Sequence, residues 1–255
     1  MEHGEMSAHS LPGGLRFLNL ALSSEAVCEQ ATRSRLATLG KKAPECQENL
    51  GTVLSLLYAE ACCAHGCVGG DHFGQRLAGR VVSHALGSYR LLCAGYYDES
   101  LALSRNLGEV ANLLWLFRHR PEEQERWRSA DKRTRLREFS PVKVRLSIEA
   151  AGLPVPIDET RYAGLCEIAV HVGPETAPQV HNPLGLPTVG SFFQEGGCLV
   201  SLNELAGATG ACVAGLIPVF TLEERSQRLK ESTVSLLRSV GGADLETLKA
   251  AFKGV

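Results

Sequence analysis

The sequence predicts an all-α fold, a multi-helix bundle interrupted by one long segment rich in proline and glycine at about 173–199. Apolar residues recur at the i, i+3, i+4 spacing of amphipathic helices over most of the chain. Capping residues, prolines and glycines separate these periodic runs into individual helices. The alternation typical of strands is not sustained anywhere, and aromatic residues make up only 6% of the chain.

The first two thirds of the chain contain the clearest helix signals. Residues 1–22 carry several glycines and one proline, and we expect them to form a loose N-terminal segment before a single helical domain over 23–255. Ser23 and Ser24 are N-cap types for the first helix, and Asp71 and Asp158 are N-cap types for later ones. The predicted helices cover about 25–39, 44–65, 72–95, 98–118, a short stretch from Pro121, 141–151 and 159–172, with the core at about 45–172.

The segment 173–199 differs from the rest, because it holds four of the eleven prolines. A loop of this length is usually functional or disordered. Two capping boxes follow it, Ser201-x-x-Glu204 and Thr221-x-x-Glu224. They predict C-terminal helices over about 202–217 and 222–239, and Asp244 can cap a short last helix within 201–253.

Composition and cysteine usage predict a cytoplasmic protein. The chain has 255 residues and a formal net charge of −2, which excludes a protein that coats nucleic acid with its whole surface. The nine cysteines are odd in number and lie mostly in apolar runs, so they do not form the framework of a secreted scaffold. We expect no signal peptide, and the apolar stretch 208–220 is shorter than the roughly 20 residues that span a bilayer, so no membrane partner is expected.

The predicted helix over 98–118 carries the main candidate for chemistry. Arg105 and Glu109 lie one turn apart on a helix that is apolar on almost every side, so they form a partly desolvated ion pair. His84 on the preceding helix, and Tyr162 with His171 on a later one, supply further polar groups. A cluster of these types could move protons or bind an anion. The alternative is a structural network between helices, or a solvated helix face.

The run HALGSYRLLCAGYYDESLALSRNLGEVANLLWLF, from His84 to Phe117, followed by a tryptophan and basic segment and then by Tyr162 and His171, resembles a family of uncharacterised bacterial all-helical proteins. The resemblance covers about 80–172. It implies an all-α core and a shared cluster of His84, Arg105, Glu109 and His171 as candidate catalytic residues, but it supplies no reaction.

The chain is also loosely similar to helical-bundle ribonucleases of toxin and phage-defence systems, in which an arginine and a histidine share one helix. Arg80-x-x-x-His84 is one residue short of that spacing. The expectation of a bacterial defence or stress module comes only from these two resemblances.

A basic segment is the second candidate site. Residues 118–145 contain ten Lys or Arg against five Asp or Glu, a net charge of +5, so the rest of the chain sums to −7. Basic residues beside an aromatic ring can bind a phosphate backbone and stack on a base. The alternative is local pairing with the acidic residues of the same segment. The candidate residues for binding nucleic acid or an acidic protein surface are Arg126, Trp127, Lys132, Arg133, Arg135 and Arg137.

Cys62, Cys63 and Cys67 lie near His65, and thiolates and imidazoles are metal-ligand types. Their spacing is not that of paired Cys-x-x-Cys knuckles, so buried thiols are the favoured interpretation and we expect no metal. Phosphate-binding glycine loops and hydrolase motifs are absent from the sequence, and no cofactor is expected.

Three functional hypotheses remain open at this point. The first is a cytoplasmic helical protein that acts through binding to a partner or to nucleic acid. The second is a nuclease or phosphate-handling hydrolase built on the His/Arg/Glu cluster. The third is a homo-oligomeric structural scaffold.

Overall fold

The structure, a computed structural model, describes residues 13–65, 70–174, 176, 178–179, 188–220 and 223–240. Within these residues the chain is all-α, with two short 3-10 turns and no strand, and the predicted fold class is confirmed. The helices are α1 (Gly14–Leu36), α2 (Lys42–Ala61), α3 (Phe73–Cys93), α4 (Tyr97–His119), α5 (Pro121–Ser129), α6 (Lys132–Glu138), α7 (Pro141–Ala150), α8 (Glu159–Ala169), α9 (Glu195–Leu216) and α10 (Glu223–Ser239).

Helices α4 and α9 form the centre of the bundle. Tyr97 at the start of α4 contacts Gly197 at the start of α9, and Leu114 contacts Gly215 near the ends of both helices. The two helices therefore run parallel. Helices α2, α3 and α10 pack against α9, α3 also packs against α4, and α5, α7 and α8 contact α4. The candidate residues of α4 therefore lie between the core and the outer helix α8.

Several start signals act as the sequence predicts. The side chain of Asp158 accepts a hydrogen bond of 2.8 Å from the backbone N–H of Arg161 and caps α8. Asp71 accepts one of 3.0 Å from the N–H of Phe73 at the start of α3. Pro121 and Pro141 stand at the first turns of α5 and α7, where proline lacks only an N–H that would be unpaired in any case.

Two predicted starts need correction. Helix α1 begins at Gly14 rather than near residue 25, so it includes part of the segment expected to be loose. The leucine-rich stretch after Gly14 favours helix, and Ser23 lies inside it with its hydroxyl bonded to the carbonyl of Asn19. Helix α9 begins at Glu195, because its first turn packs against Tyr97, and Ser201 is buried inside it instead of capping it. The box at Thr221 and the short helix after Asp244 lie outside the described residues.

Helix α9 is also long and apolar enough, by length and composition, to cross a membrane. In this structure 72% of its apolar window is buried inside the bundle, as is typical of a central core helix. Six of the cysteines in the described chain are buried, and none of those described forms a disulfide.

Candidate functional site

Arg105 and Glu109 of α4 meet two side chains of α8. Arg105 Nη2 lies 2.7 Å from Glu109 Oε1, and the hydroxyl of Tyr162 donates a hydrogen bond of 2.8 Å to the same carboxylate oxygen. Arg105 also donates to the Tyr162 hydroxyl and, through Nε at 3.1 Å, to the sulfur of Cys166. We call Arg105, Glu109, Tyr162 and Cys166 the α4–α8 cluster.

The α4–α8 cluster is partly shielded from water, and its contacts shift the pKa values of Tyr162 and Arg105. The side chains of Arg105 and Glu109 are 15% and 29% exposed. Burial, followed by the hydrogen bond to Glu109, raises the pKa of Tyr162 to about 12, so the phenol stays protonated and can donate. Burial works to lower the pKa of Arg105, but its contacts with Cys166, Glu109 and Tyr162 outweigh this and raise it. The charged and polar groups of the cluster thus satisfy one another, an arrangement that joins α8 to α4.

The two candidate histidines lie apart from these contacts. His84 on α3 is half-buried, and burial, followed by the charge of Arg80, lowers its pKa. Its buried Nδ1 atom has no hydrogen-bond partner among the described residues. His171 follows α8 and is exposed, with its backbone N–H bonded to the carbonyl of Cys166. In the described part of the chain, no hydrogen bond or ion pair connects either imidazole to Arg105 or Glu109.

Asn112 of α4, which follows Glu109 at i+3, joins the same helix to the chain before α8. Its amide donates to the carbonyl of Ile157 and accepts from the N–H of Ile157, both at 2.9 Å. This pair of bonds fixes the chain just before α8, so α8 is positioned by Asn112 at one point and by the α4–α8 cluster at another. The sequence analysis does not predict Cys166 as a member of this cluster, although it lies one helical turn after Tyr162 and shares its helix face.

Helices α5 and α6 form a hairpin that carries the basic candidate residues. Arg126 binds Glu123 at 2.8 Å and Glu138 at 2.5 Å, and its guanidinium lies 5.2 Å from the centre of the Phe139 ring. Asp131 caps α6 through a hydrogen bond of 2.7 Å from the N–H of Thr134. Arg126 therefore closes the hairpin, although its side chain stays 51% exposed.

The side chains of Trp127 and Arg135 also make contacts within the protein. The Trp127 ring packs against Phe73 and Phe117, with centroid distances of 6.2 and 5.7 Å. The guanidinium of Arg135 lies 5.9 Å from the Trp127 centroid and donates to the carbonyl of Ala130. Trp127 is consequently an anchor of α5 on α3 and α4, and its ring is partly buried against neighbouring side chains.

The remaining basic residues lie on one outer face of α6. Lys132 and Arg133 are exposed and form no ion pair with any described residue. Arg137 is 66% exposed and contacts only Glu138 among the described acidic groups, at 2.5 Å. Leu136, which is 67% exposed, lies one turn from Lys132 and Arg133 and shares their face. We call Lys132, Arg133, Leu136 and Arg137 the basic face of α6.

A groove and the cysteine segment are two further places where a ligand could bind. A groove of about 620 Å³ lies between α2 and α3. Its lining is mixed: the apolar side chains include Leu50, Leu54, Val82 and Leu86, and the polar ones are Gln47, Glu48, Ser55, Tyr58 and Tyr89. No sequence motif indicates it. In the described chain, no group of three His, Cys, Asp or Glu side chains is placed to hold a metal ion, and Cys67 lies outside the described residues.

Comparisons of the chain with protein-family models, with curated proteins and with solved structures give no match.

Proposed function

We propose that the chain is a binding protein whose basic face of α6 docks an acidic segment of a partner protein. The observation that carries this proposal is the pair Lys132 and Arg133, two exposed cations without an ion pair in the described chain, on the same face as the exposed Leu136. Exposed cations around one apolar side chain complement an acidic segment that presents an apolar anchor.

The hairpin supports this role because its own contacts hold the face in place. The ion pairs of Arg126, the cap at Asp131 and the packing of Trp127 order α5 and α6 before any partner arrives. A preorganised surface loses less conformational entropy on binding than a disordered one. Each exposed ion pair contributes little stability by itself, on the order of 0–1 kcal/mol, but together they fix the geometry.

A protein partner is favoured over nucleic acid for two reasons. A base needs a free aromatic face to stack on, and the partly buried ring of Trp127 already packs against Phe73 and Phe117. A phosphate backbone gains nothing from Leu136, whereas an apolar anchor of a protein segment does. Nucleic acid therefore serves as the competing ligand in the test.

The hydrolase alternative has less support. Four side chains already engage the guanidinium of Arg105, namely those of Asn106, Glu109, Tyr162 and Cys166. The carboxylate of Glu109 receives both Arg105 and Tyr162. A catalytic role for these groups would need them to leave contacts that join two helices. A cytoplasmic location remains part of the proposal because none of the described cysteines forms a disulfide. A role in bacterial defence is supported only by the resemblances described above.

The test uses a labelled peptide of repeated Glu-Glu-Leu-Glu, with binding followed by fluorescence anisotropy at several salt concentrations. We expect salt-sensitive binding, and we expect the variant K132E/R133E/R137E to weaken it at least about tenfold, because reversing charges at an interface replaces attraction with repulsion. Competition by duplex DNA and by single-stranded RNA is measured in parallel.

The matched control is K41E/K42E/R228E, which changes the net charge equally at exposed positions far from the basic face of α6 in sequence. It should bind the peptide nearly as well as the original chain. Equal loss in both variants would indicate a response to net charge alone and contradict the proposal. Tighter binding of DNA or RNA than of the peptide, lost in the α6 variant, would assign the face to nucleic acid instead.

A further inference from the structure

Cys63 has an exposed side chain, unlike the other cysteines that the structure describes. Cys62 beside it is partly buried, and the remaining six are buried. The sequence favours buried thiols in this part of the chain, and the exposure of Cys63 corrects that interpretation. An exposed thiol can meet a reactant from solution, so its reactivity depends on the groups around it.

The buried thiols of the described chain are held in their protonated form. Burial raises the pKa of Cys46 and Cys93, and it raises that of Cys198 to about 12. The thiol of Cys212 donates a hydrogen bond of 3.1 Å to the carbonyl of Leu107. Because the thiolate is the nucleophilic form of cysteine, these side chains are poor targets for a reactant in water.

The imidazole of His72 lies beside the sulfur of Cys63. His72 Nδ1 is 3.9 Å from Cys63 Sγ, close to the outer limit of a hydrogen bond that involves sulfur. His72 is the N-cap residue of α3, and its backbone is in the left-handed region with a φ of 55°. A residue with a Cβ atom keeps this conformation only where surrounding contacts hold it. An imidazole at this distance can accept the proton of the thiol.

The charges around the pair favour a thiolate. Asp71 precedes His72, and Arg128 binds its carboxylate. The N–H of Phe73, followed by the charges of Arg128 and Arg76, lowers the pKa of Asp71, so both cations lie near the start of α3. Arg76 is exposed and forms no ion pair with a described acidic residue, and Glu60 at the end of α2 has its own partner. The N-terminal end of a helix also favours negative charge.

We propose that Cys63 is a site of reversible modification by small anionic disulfides of the glutathione type, with His72 as the group that takes up and returns the thiol proton. The proton of Cys63 Sγ moves to His72 Nδ1, and the thiolate attacks one sulfur atom of the disulfide. A bond forms between that atom and Cys63 Sγ, and the S–S bond of the reactant breaks. The leaving thiolate takes the proton from His72, so Cys63 is oxidised and the reactant is reduced. An excess of free thiol reverses the exchange.

The charge near Cys63 favours an anionic disulfide over a peroxide. Oxidised glutathione carries a net negative charge at neutral pH, and the exposed cation of Arg76 attracts it. Hydrogen peroxide, the competing oxidant of exposed thiolates, is uncharged and gains nothing from this cation. The two reactants therefore form separate arms of the test.

The first experiment treats the reduced full chain with oxidised glutathione at neutral pH and follows each cysteine by peptide mass spectrometry. We expect Cys63 to be modified first, and we expect C63S to lose this product. The matched controls are C62S and C67S, the second of which lies outside the described residues. Both should form the Cys63 product at the original rate. Modification of Cys62 or Cys67 before Cys63 in the original chain would overturn the proposal.

The second experiment compares His72→Asn with His65→Asn. Asparagine suits the left-handed conformation at position 72 but cannot take up the proton. A thiol with an ordinary pKa is only about 3% ionised at neutral pH, so proton transfer to His72 accelerates the reaction at most about thirtyfold. We expect H72N to slow the modification of Cys63 at least about fivefold, since nucleophilicity falls with the pKa of the thiol. The ring of His65 packs against Tyr58, with centroids 5.7 Å apart, and H65N should stay within about twofold of the original rate.

Two further measurements separate the role of His72 from a loss of structure. In strong denaturant the original chain and H72N should react at equal rates, because the contact between Cys63 and His72 is then lost. The peptide mapping of the original chain requires no variant, so it holds even if H72N is unstable. Equal rates of H72N and the original folded chain, an equal slowing by H65N, or faster reaction with hydrogen peroxide than with oxidised glutathione at the same concentration would each overturn the proposal.

Discussion

Gly197 of α9 lies directly against the ring of Tyr97 of α4, so close that a Cβ atom at position 197 would be 2.6 Å from the ring carbon Cδ2. Tyr97 is fully buried, and its hydroxyl accepts a hydrogen bond of 3.0 Å from the backbone N–H of Gln194. The phenol thereby holds the first turn of α9 on α4. Gly215 repeats the arrangement at the other end, where a Cβ atom would be 2.7 Å from Leu114 Cβ.

The substitution Gly197→Ala should therefore destabilise the protein. The added methyl group must displace a buried ring or separate α4 from α9, and overpacking of this kind costs about 1–3 kcal/mol. The free energy of unfolding from urea titrations measures the effect.

The control is Gly79→Ala in α3, where no atom lies within 4 Å of the added carbon. The same chemical change should stabilise the protein there by about 0.5–1 kcal/mol, because alanine favours helix over glycine. Changes of the same sign at both positions would contradict the close contact between Tyr97 and Gly197.

The substitution Tyr162→Phe tests the structural role of the α4–α8 cluster. The loss of the hydroxyl removes a donor to Glu109 and an acceptor from Arg105, and both charges are partly shielded from water. Hydrogen bonds to charged groups contribute about 1.5–3 kcal/mol, and the partial exposure places the expected loss near 1–2 kcal/mol. The measurement is the urea midpoint.

Tyr58→Phe provides the comparison, since the Tyr58 side chain is half exposed on α2. Its effect should stay within about 0.5 kcal/mol, as is usual for exposed positions. If the two variants were equally stable, the cluster would not join α8 to α4, and a functional role for its groups would gain support.

The contrast between Arg105–Glu109 and the two histidines shows how far sequence reasoning reaches. The i, i+4 spacing of Arg105 and Glu109 lies within one helix, so their contact follows directly from helix geometry. Whether His84 or His171 joins them depends on how α3 and α8 rotate against α4, which is a property of packing between distant segments. Sequence periodicity carries little information on that rotation.

The helix ends show the same difference between contacts within one short segment, which the sequence predicts, and contacts between distant segments, which it does not. Asp158 caps α8 as predicted, because a cap is a contact between residues close in the sequence. Asp71 accepts from the N–H of Phe73, but the N-cap residue of α3 is His72 and not Asp71. The start of α9 at Glu195 is fixed instead by the buried ring of Tyr97, about a hundred positions away in the sequence. Trp127 likewise appears as a base-stacking residue in the sequence and as a packing residue in the structure, because Phe73 and Phe117 reach it only through the fold.

Arg135 and Arg133 should respond differently to charge reversal, although both belong to the same basic run. Arg135 lies over the ring of Trp127 and donates to the carbonyl of Ala130, so Arg135→Glu should destabilise the hairpin by about 1–3 kcal/mol. Arg133 is exposed, and Arg133→Glu should change the stability by less than about 0.5 kcal/mol. Thermal unfolding followed by circular dichroism distinguishes them. Equal effects of the two substitutions would show that Arg135 is not part of the packing.

The stability of the protein should fall when the pH drops below neutral, because the pKa values of His84 and His119 are both lowered in the folded chain. Burial, followed by the charge of Arg80, lowers the pKa of His84 below its ordinary value of 6.5, and burial, followed by the charge of Arg118, does the same for His119. Above the ordinary value both imidazoles are neutral in the folded and unfolded chains, and their contribution to stability is fully present. As the pH falls, the unfolded chain binds protons first, so the free energy of unfolding decreases until the pH has passed through the lower, folded-state pKa values.

The measurement is the urea midpoint of the original chain and of the variant H84Q/H119Q at a series of pH values between roughly 7.5 and 5, the range in which histidine titrates. The variant is expected to show a shallower loss of stability with falling pH, whatever its stability at neutral pH. The slope is the informative quantity, because His119 also packs on the ring of Trp115 and its replacement lowers stability at every pH. A slope as steep in the variant as in the original chain would mean that other groups carry the acid sensitivity, and that the imidazoles of His84 and His119 reach water more freely than their burial implies.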